Sequence, residues 1–287
     1  MKKIVLIMVA VFLTALTVCL VGAVVAFSDA SPLNIEERSF SEFDSAITAL
    51  EINSNGRAVD VISVKSGFKV DYIVYNGSAV IVGFEDGKLK ITASDAEKKA
   101  DLSYFADRIR LQRLDVDTVV KVYLPETVAD VKINVKNADF SYFNVKSTTF
   151  AAVIEGGGSF INTVTATDFS VTAKDGSLKT NTINATNFRL NMANGIYYSR
   201  AINCTTAEAD FKNVMGELSL KGALKTVNVK IKDGSVEVGI DGVMDEFNFS
   251  VFLEKGGYSN ATDKTGTTDK SIRFYVAGGS LELSFTK

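Results

Sequence analysis

The 287-residue chain contains no histidine and no tryptophan, and it has only two cysteines and two prolines. Without histidine it cannot build a Ser-His-Asp or Cys-His catalytic centre, a histidine-ligated zinc site or an imidazole acid or base. Two cysteines are too few for a disulfide-stapled scaffold or a metal site made of four thiolates. We therefore expect no metal, no cofactor and no enzymatic activity.

Positive charge is also in short supply. The chain has 31 basic and 34 acidic residues, a formal net charge of -3 and a sequence pI near 5.3. Proteins that bind nucleic acid by its phosphates need an excess of basic side chains, so we expect no nucleic-acid partner. Apolar residues make up 46% of the chain, which is enough to bury a substantial core.

The longest apolar run lies at the N-terminus. From Ile4 to Phe27 there are 24 residues without a charge, preceded by Lys2 and Lys3. A helix of that length reaches about 36 Å, enough to cross a hydrocarbon core of about 30 Å. Because the lysines precede the run, residues 1–27 are predicted to be a single-pass transmembrane anchor with the C-terminal part extracytoplasmic. The alternative is a secretory signal that is cleaved, which would release the domain.

The short Lys-Lys start and the scarcity of cysteine in an exported chain favour a bacterial cell envelope. A linker is expected over 28–47, followed by an N-terminal β region over 48–130. A helical insertion is expected within that region near 95–113, where small apolar residues are scattered among many charges. From 131 to 287 we predict a β-solenoid repeat region. Alternating apolar and polar residues, as in Val59–Val64, are typical of half-buried strands.

A repeat of about 19 residues is the most specific pattern in the sequence. It is marked by five glycines at spacings of 19, 19, 21 and 18: Gly157, Gly176, Gly195, Gly216 and Gly234. Seven, five and three residues before each glycine, most positions are apolar. Phe150, Phe169 and Phe188 stand seven residues before Gly157, Gly176 and Gly195. In the repeat that ends at Gly216, the residues at seven, five and three positions before the glycine are Ala209, Phe211 and Asn213.

One such repeat cannot bury its own apolar face, whereas stacked repeats can. We therefore predict an all-β, single-stranded β-solenoid, similar to a β-helix. The alternative is an antiparallel β-sandwich, because the Lys-Asp-Gly-Ser segments at 174–177 and 232–235 also suit hairpin turns.

The chain resembles a bacterial family known as "putative adhesin" β-strand-repeat proteins, which are toast-rack-like envelope domains. The resemblance rests on the apolar N-terminus, Leu50-Glu51-Ile52, the run from Val120 to Pro125, and units such as Asp175-Gly176-Ser177-Leu178. It covers roughly residues 40 to 287. It implies a β-repeat fold outside the cytoplasm and no catalytic motif, because the family has no established one. The helical insertion departs from its tight strand spacing.

Few residues stand out as candidate site residues. Tyr142, Tyr197 and Tyr198 are candidates for a surface patch that contacts sugars or proteins, although neighbouring residues on a strand point to opposite sides. Cys204 takes a repeat position that is otherwise filled by alanine, so we expect a buried thiol. No pair of carboxylates is marked out by its spacing as a catalytic pair.

These observations predict a non-enzymatic cell-envelope protein. Its extracytoplasmic β-repeat domain would serve adhesion, or bind an envelope protein or a cell-wall polymer, and it could act as an accessory in envelope-stress signalling. The alternative is a carbohydrate-active enzyme on a β-helix scaffold, which can work with carboxylates alone.

Overall fold

The computed structural model describes residues 33–42, 46–75, 77–95, 109–112 and 114–286. The apolar run from Ile4 to Phe27 lies outside this part of the chain, and the membrane anchor therefore stays a prediction. Among the described residues, no helix has the length and apolar character needed to span a membrane.

Strands make up most of the described chain. Those before residue 145 are β1 (Ile35–Glu42), β2 (Ala49–Asn55), β3 (Val59–Val64), β4 (Phe68–Tyr75), β5 (Ala79–Glu85), β6 (Lys88–Ser94), β7 (Val120–Pro125), β8 (Asp130–Lys136) and β9 (Phe140–Tyr142). Those that follow are β10 (Val145–Glu155), β11 (Gly158–Lys174), β12 (Ser177–Asn203), β13 (Thr206–Lys221), β14 (Thr226–Lys232), β15 (Ser235–Asp241), β16 (Phe247–Glu254), β17 (Tyr258–Ser259), β18 (Lys270–Ala277) and β19 (Ser280–Thr286). A 3-10 turn spans Met244–Glu246, and residues 109–112 form a helical turn inside the predicted insertion.

The strands stack in parallel, one coil on the next, which confirms the solenoid. Phe150 of β10 lies opposite Phe169 of β11, which lies opposite Phe188 of β12, so each step along the stack equals one repeat of the sequence. An antiparallel sandwich would pair neighbouring strands in opposite directions. Among the described strands, such pairs are confined to β1–β4, β4–β7 and β5–β6 at the N-terminal end.

Each coil contributes to two walls that face each other. The first wall contains β2, β6, β8, β14, β16 and β18, together with residues 149–155, 168–174, 187–193 and 206–212 of β10 to β13. The second wall contains β3, β7, β9, β15, β17 and β19, together with the remaining parts of β10 to β13. The ring of Tyr142 in the second wall meets the ring of Phe150 in the first, with 5.0 Å between centroids.

The core lies between the walls and consists of columns of apolar side chains. Phe150, Phe169 and Phe188 stack face to face, with centroids 5.0 and 5.5 Å apart and ring planes within 6°. All three rings are buried. Each coil therefore covers the apolar face of its neighbour, as the repeat predicted.

One predicted anchor of the repeat, Gly216, is wrong. Val214 lies opposite Gly195, at the usual distance of one repeat, and Gly216 lies opposite Tyr197 two positions later. The apolar columns shift accordingly, because Ala207, Ala209 and Phe211 lie opposite Phe188, Leu190 and Met192. Asn213, assigned by the sequence to a core column, instead lies at the corner between the walls.

This corner is built by a column of residues in the left-handed backbone conformation. Asp175, Asn194, Asn213 and Asp233 have φ of 56°, 55°, 52° and 53°, a region that Asn and Asp tolerate better than other residues with a β-carbon. The Asn194 amide donates to Asp175 Oδ1 at 2.9 Å, and the Asn213 amide donates to Asn194 Oδ1 at 2.9 Å. The first of these bonds holds the pKa of Asp175 below its ordinary value. The Asp-Gly pairs are thus corners of coils, not hairpin turns.

At both ends, the order of the coils in space departs from their order in the chain. Strand β2 lies between β6 and β8, both of which follow it in the sequence. At the other end, β18 lies between β14 and β16. Strand β1 lies within 28–47, where the sequence predicted a linker. Its residues form a strand because their backbone pairs with that of β4 in antiparallel register.

Candidate binding surface

A row of aromatic and cationic side chains crosses the outer surface of the second wall. Phe160, Lys179 and Tyr198 occupy equivalent outward positions in three successive coils. Lys179 Nζ lies 6.0 Å from the Phe160 ring centroid and 5.7 Å from that of Tyr198. Phe143 extends the row, because its ring meets that of Phe160 edge to face at 5.7 Å. We call these four residues the aromatic row.

Two exposed aliphatic side chains lie beside the row. Ile196 and Met215 are opposite each other in neighbouring coils, and their exposed fractions are 61% and 68%. Ile196 stands two residues before Tyr198, so both side chains project from the same side of β12. Ile196, Tyr198 and Met215, here called the apolar patch, form contiguous exposed apolar surface of a kind that marks interaction sites.

The same outer surface becomes acidic beyond Tyr198. Glu217 lies opposite Tyr198, Glu237 lies opposite Glu217, and Glu282 follows opposite Glu237. Like charges on directly opposed residues repel each other in a sheet. A partner with basic groups at this end of the surface would relieve that repulsion.

Of the three tyrosines that the sequence singled out, only Tyr198 is exposed, with an exposed fraction of 41%. Tyr142 and Tyr197 are wrong as surface residues, because their exposed fractions are 0% and 1%. Each sits beside an outward residue on its strand and so points into the core. The Tyr197 hydroxyl is 3.1 Å from Thr180 Oγ1, and burial raises the pKa of Tyr197 to about 12.

Phe160 and Lys179 were not identified from the sequence, although the repeat contained the signal. They stand one repeat apart in the sequence, as do Lys179 and Tyr198. Positions separated by one repeat project from the same side of the same wall. Tracing the outward residues through the repeat, in addition to the inward ones, would have found the row.

The first wall carries a shallow pocket on its outer surface. Its volume is about 510 Å³, and its lining includes Arg189, Glu208, Lys230, Phe252, Arg273 and Tyr275. Arg189 Nε binds Glu208 Oε2 at 3.2 Å. Phe252 and Tyr275 are opposite each other on β16 and β18, with exposed fractions of 59% and 37%. The pocket therefore combines an aromatic shelf with charged groups of both signs.

Cys204 is buried, with an exposed fraction of 4%, as its place in the repeat predicted. Burial raises the pKa of the Cys204 thiol to about 12, so the reactive thiolate is scarce at neutral pH. Within the part of the chain that the structure covers, no three Asp, Glu or Cys side chains come together in a group that could hold a metal ion.

Comparison with solved structures shows the same fold in another protein. A "putative adhesin" from Parabacteroides distasonis ATCC 8503 aligns with a TM-score of 0.52 at 15% identity, over 89% of this chain and 98% of that one. Another, from Bacteroides fragilis NCTC 9343, aligns with a TM-score of 0.45 at 10% identity, over 87% of this chain and 97% of its own.

Comparison of sequences gives the family. No match was found among curated proteins. The family model described as Toastrack DUF4097 matches residues 47–278, which include every strand from β2 to β18. Because this match extends over most of its length, the chain belongs to the Toastrack family DUF4097.

Proposed function

We propose that this chain is a non-enzymatic protein of the bacterial cell envelope that binds another protein through the outer surface of its second wall. The observation that carries the proposal is the apolar patch beside the aromatic row. Ile196, Tyr198 and Met215 are exposed to water. A partner that covers them makes the free energy of binding more favourable, because apolar surface is then removed from water. The Lys179 ammonium, placed between two rings, adds a charged contact at the centre.

The chemistry of the partner follows from the charges on this surface. Glu217, Glu237 and Glu282 extend the patch at one end and favour Lys or Arg on the partner. Tyr and Met are enriched at the centres of protein interfaces, which favours a folded protein as partner. The adhesin name of the Parabacteroides distasonis neighbour agrees with a role in surface contact.

The proposed location rests on the sequence. The uncharged run from Ile4 to Phe27 after two lysines supports a membrane anchor with the solenoid outside the cytoplasm. An accessory role in envelope-stress signalling requires that the anchor contact a membrane sensor. Replacing residues 4–27 with an unrelated apolar helix should then abolish signalling, whereas simple display of the solenoid should survive the exchange.

The alternative of a carbohydrate-active enzyme is less well supported. The two carboxylates of the first-wall pocket, Glu208 and Asp210, share it with three cations, and Arg189 already binds Glu208. Glycosidases place an acid and a second carboxylate on opposite sides of the scissile bond. Glu208 and Asp210 project from the same side of one strand.

Affinity capture from cell envelopes tests the proposal. The tagged full chain is expected to recover a specific envelope protein, and the variant with both Tyr198→Ser and Met215→Ser should lose at least about nine-tenths of it, since these residues lie at the patch centre. Ile81→Ser is the matched control. Ile81 is 67% exposed on β5, which pairs with β6 of the first wall, so its variant should recover the partner in full.

Two results would contradict the proposal. One is equal recovery of the partner by the double variant and the wild type. The other is capture of no envelope protein together with normal growth of a deletion strain under envelope stress.

A further inference from the structure

We infer that the pocket on the outer surface of the first wall binds an acidic sugar, namely a carboxylate-bearing residue of a polysaccharide. The inference goes beyond the proposed protein contact and does not depend on it, because the pocket and the apolar patch lie on opposite walls. It rests on four features of the pocket: its cations, its aromatic shelf, its amides and its size.

Two cations in the pocket are available to a ligand. Arg273 and Lys230 are both exposed and, within the described chain, form no ion pair. Arg189 differs from them, because Glu208 already binds it. The charged residues that line the pocket are three cations and two carboxylates, Glu208 and Asp210, which leaves an excess of one positive charge. An arginine fork matches the two oxygens of a carboxylate, which makes Arg273 the expected contact for the acidic group.

The aromatic shelf suits the apolar face of a sugar ring. Phe252 and Tyr275 are opposite each other on adjacent strands, and both rings reach solvent. The Tyr275 hydroxyl donates to Glu254 Oε2 at 2.5 Å, which restrains the ring and raises the pKa of Tyr275. A pyranose ring presents C–H groups on one face, and these pack against an aromatic face. An inorganic anion would gain nothing from such a shelf.

Amide side chains in the pocket suit the hydroxyl groups of a sugar. Asn191 and Asn228 line it, and Asn228 lies opposite Arg273 in the neighbouring coil. An amide both donates and accepts hydrogen bonds, as a hydroxyl does. The volume of about 510 Å³ falls within the range of small-ligand sites and leaves room for a short saccharide segment.

Binding of a galacturonic acid oligosaccharide to the full chain tests the inference. The matched probe is the same oligosaccharide with its carboxyl groups reduced to alcohols. The acidic form is expected to bind at least about tenfold more tightly, and more weakly as salt is raised, because charged hydrogen bonds contribute most to the difference. Arg273→Gln should lose about tenfold in affinity for the acidic probe alone, and Phe252→Ser should weaken both probes.

The second wall provides the control variants. Lys179→Gln removes a cation next to aromatic rings on that wall, and it should bind the acidic probe like the wild type. The double variant Tyr198→Ser with Met215→Ser should also bind the sugar, even though it loses the protein partner. Equal binding of the acidic and reduced probes, wild-type binding by Arg273→Gln, or tighter binding of a phosphate-bearing polymer would overturn the inference.

Discussion

At the residue scale, close contact between coils decides where glycine is required. A β-carbon on Gly195 would overlap the carbonyl oxygen of Gly176 in the coil below, and one on Gly176 would overlap the carbonyl oxygen of Gly157. Gly176 and Gly195 are required because a β-carbon would not fit between neighbouring coils, and not because their φ is unusual. Gly83 is different, because a β-carbon there meets no atom within 4 Å.

We expect Gly195→Ala to lower the free energy of unfolding by about 1–3 kcal/mol, because the backbone of one coil must move away from the next. Gly83→Ala should leave it unchanged or raise it by up to about 1 kcal/mol, since alanine restricts the unfolded chain. Urea unfolding followed by circular dichroism measures both variants. Equal stability of the two would show that coil contact does not restrict Gly195.

The alternation of inward and outward residues along a strand explains why some site residues were predicted and others were not. Period-2 alternation guarantees that one residue of Tyr197-Tyr198 is buried, but it does not say which one until the register is known. The register places Tyr197 opposite Gly216, and Tyr198 faces solvent. The first-wall pocket escaped prediction for another reason. Phe252 and Arg273 come together only through the pairing of β16 with β18, which no repeat indicates.

At the element scale, one coil of the repeat is the unit of the fold. Deleting residues 168–186 would join 167 to 187. Phe169, which lies between Phe150 and Phe188 in the stack, would be removed, and Phe188 would take its place opposite Phe150. We expect this variant to fold cooperatively with somewhat lower thermal stability, since one coil-to-coil interface is lost.

A deletion that is one residue shorter, 168–185, is the control. It shifts the register by one residue and turns the apolar columns toward solvent, so we expect an unfolded or aggregated chain. Thermal unfolding and light scattering distinguish the two deletions. Similar behaviour of both would mean that the register of the repeat does not govern the stack.

The middle of the solenoid was predictable from sequence because its coils follow one another directly. From β8 to β14, each step in space corresponds to one repeat in the chain, so the apolar pattern recurs. The ends were not predictable, because β2 pairs with β8 and β14 pairs with β18, although several strands separate each pair in the sequence. Where neighbouring strands in space are not one repeat apart in the chain, the period disappears from the sequence although the coil geometry persists.

At the scale of the whole molecule, parallel stacking produces two broad outer surfaces with different chemistry. The second wall presents the aromatic row and the apolar patch, and the first wall presents the pocket with Arg273 and the shelf. The absence of histidine excludes catalytic centres that need an imidazole. The exposed apolar, aromatic and charged side chains of the two surfaces are of the kinds that binding sites use. We therefore propose that both walls bind, independently of each other.

Adhesion of beads coated with the full chain to envelopes of its own organism tests this claim most directly. The chain is compared with a second-wall variant (Tyr198→Ser with Met215→Ser), a first-wall variant (Arg273→Gln), their combination and the Ile81→Ser control. We predict partial loss of adhesion for each single-wall variant, nearly complete loss for the combination and full adhesion for the control. Adhesion of the combined variant at the wild-type level would contradict the claim.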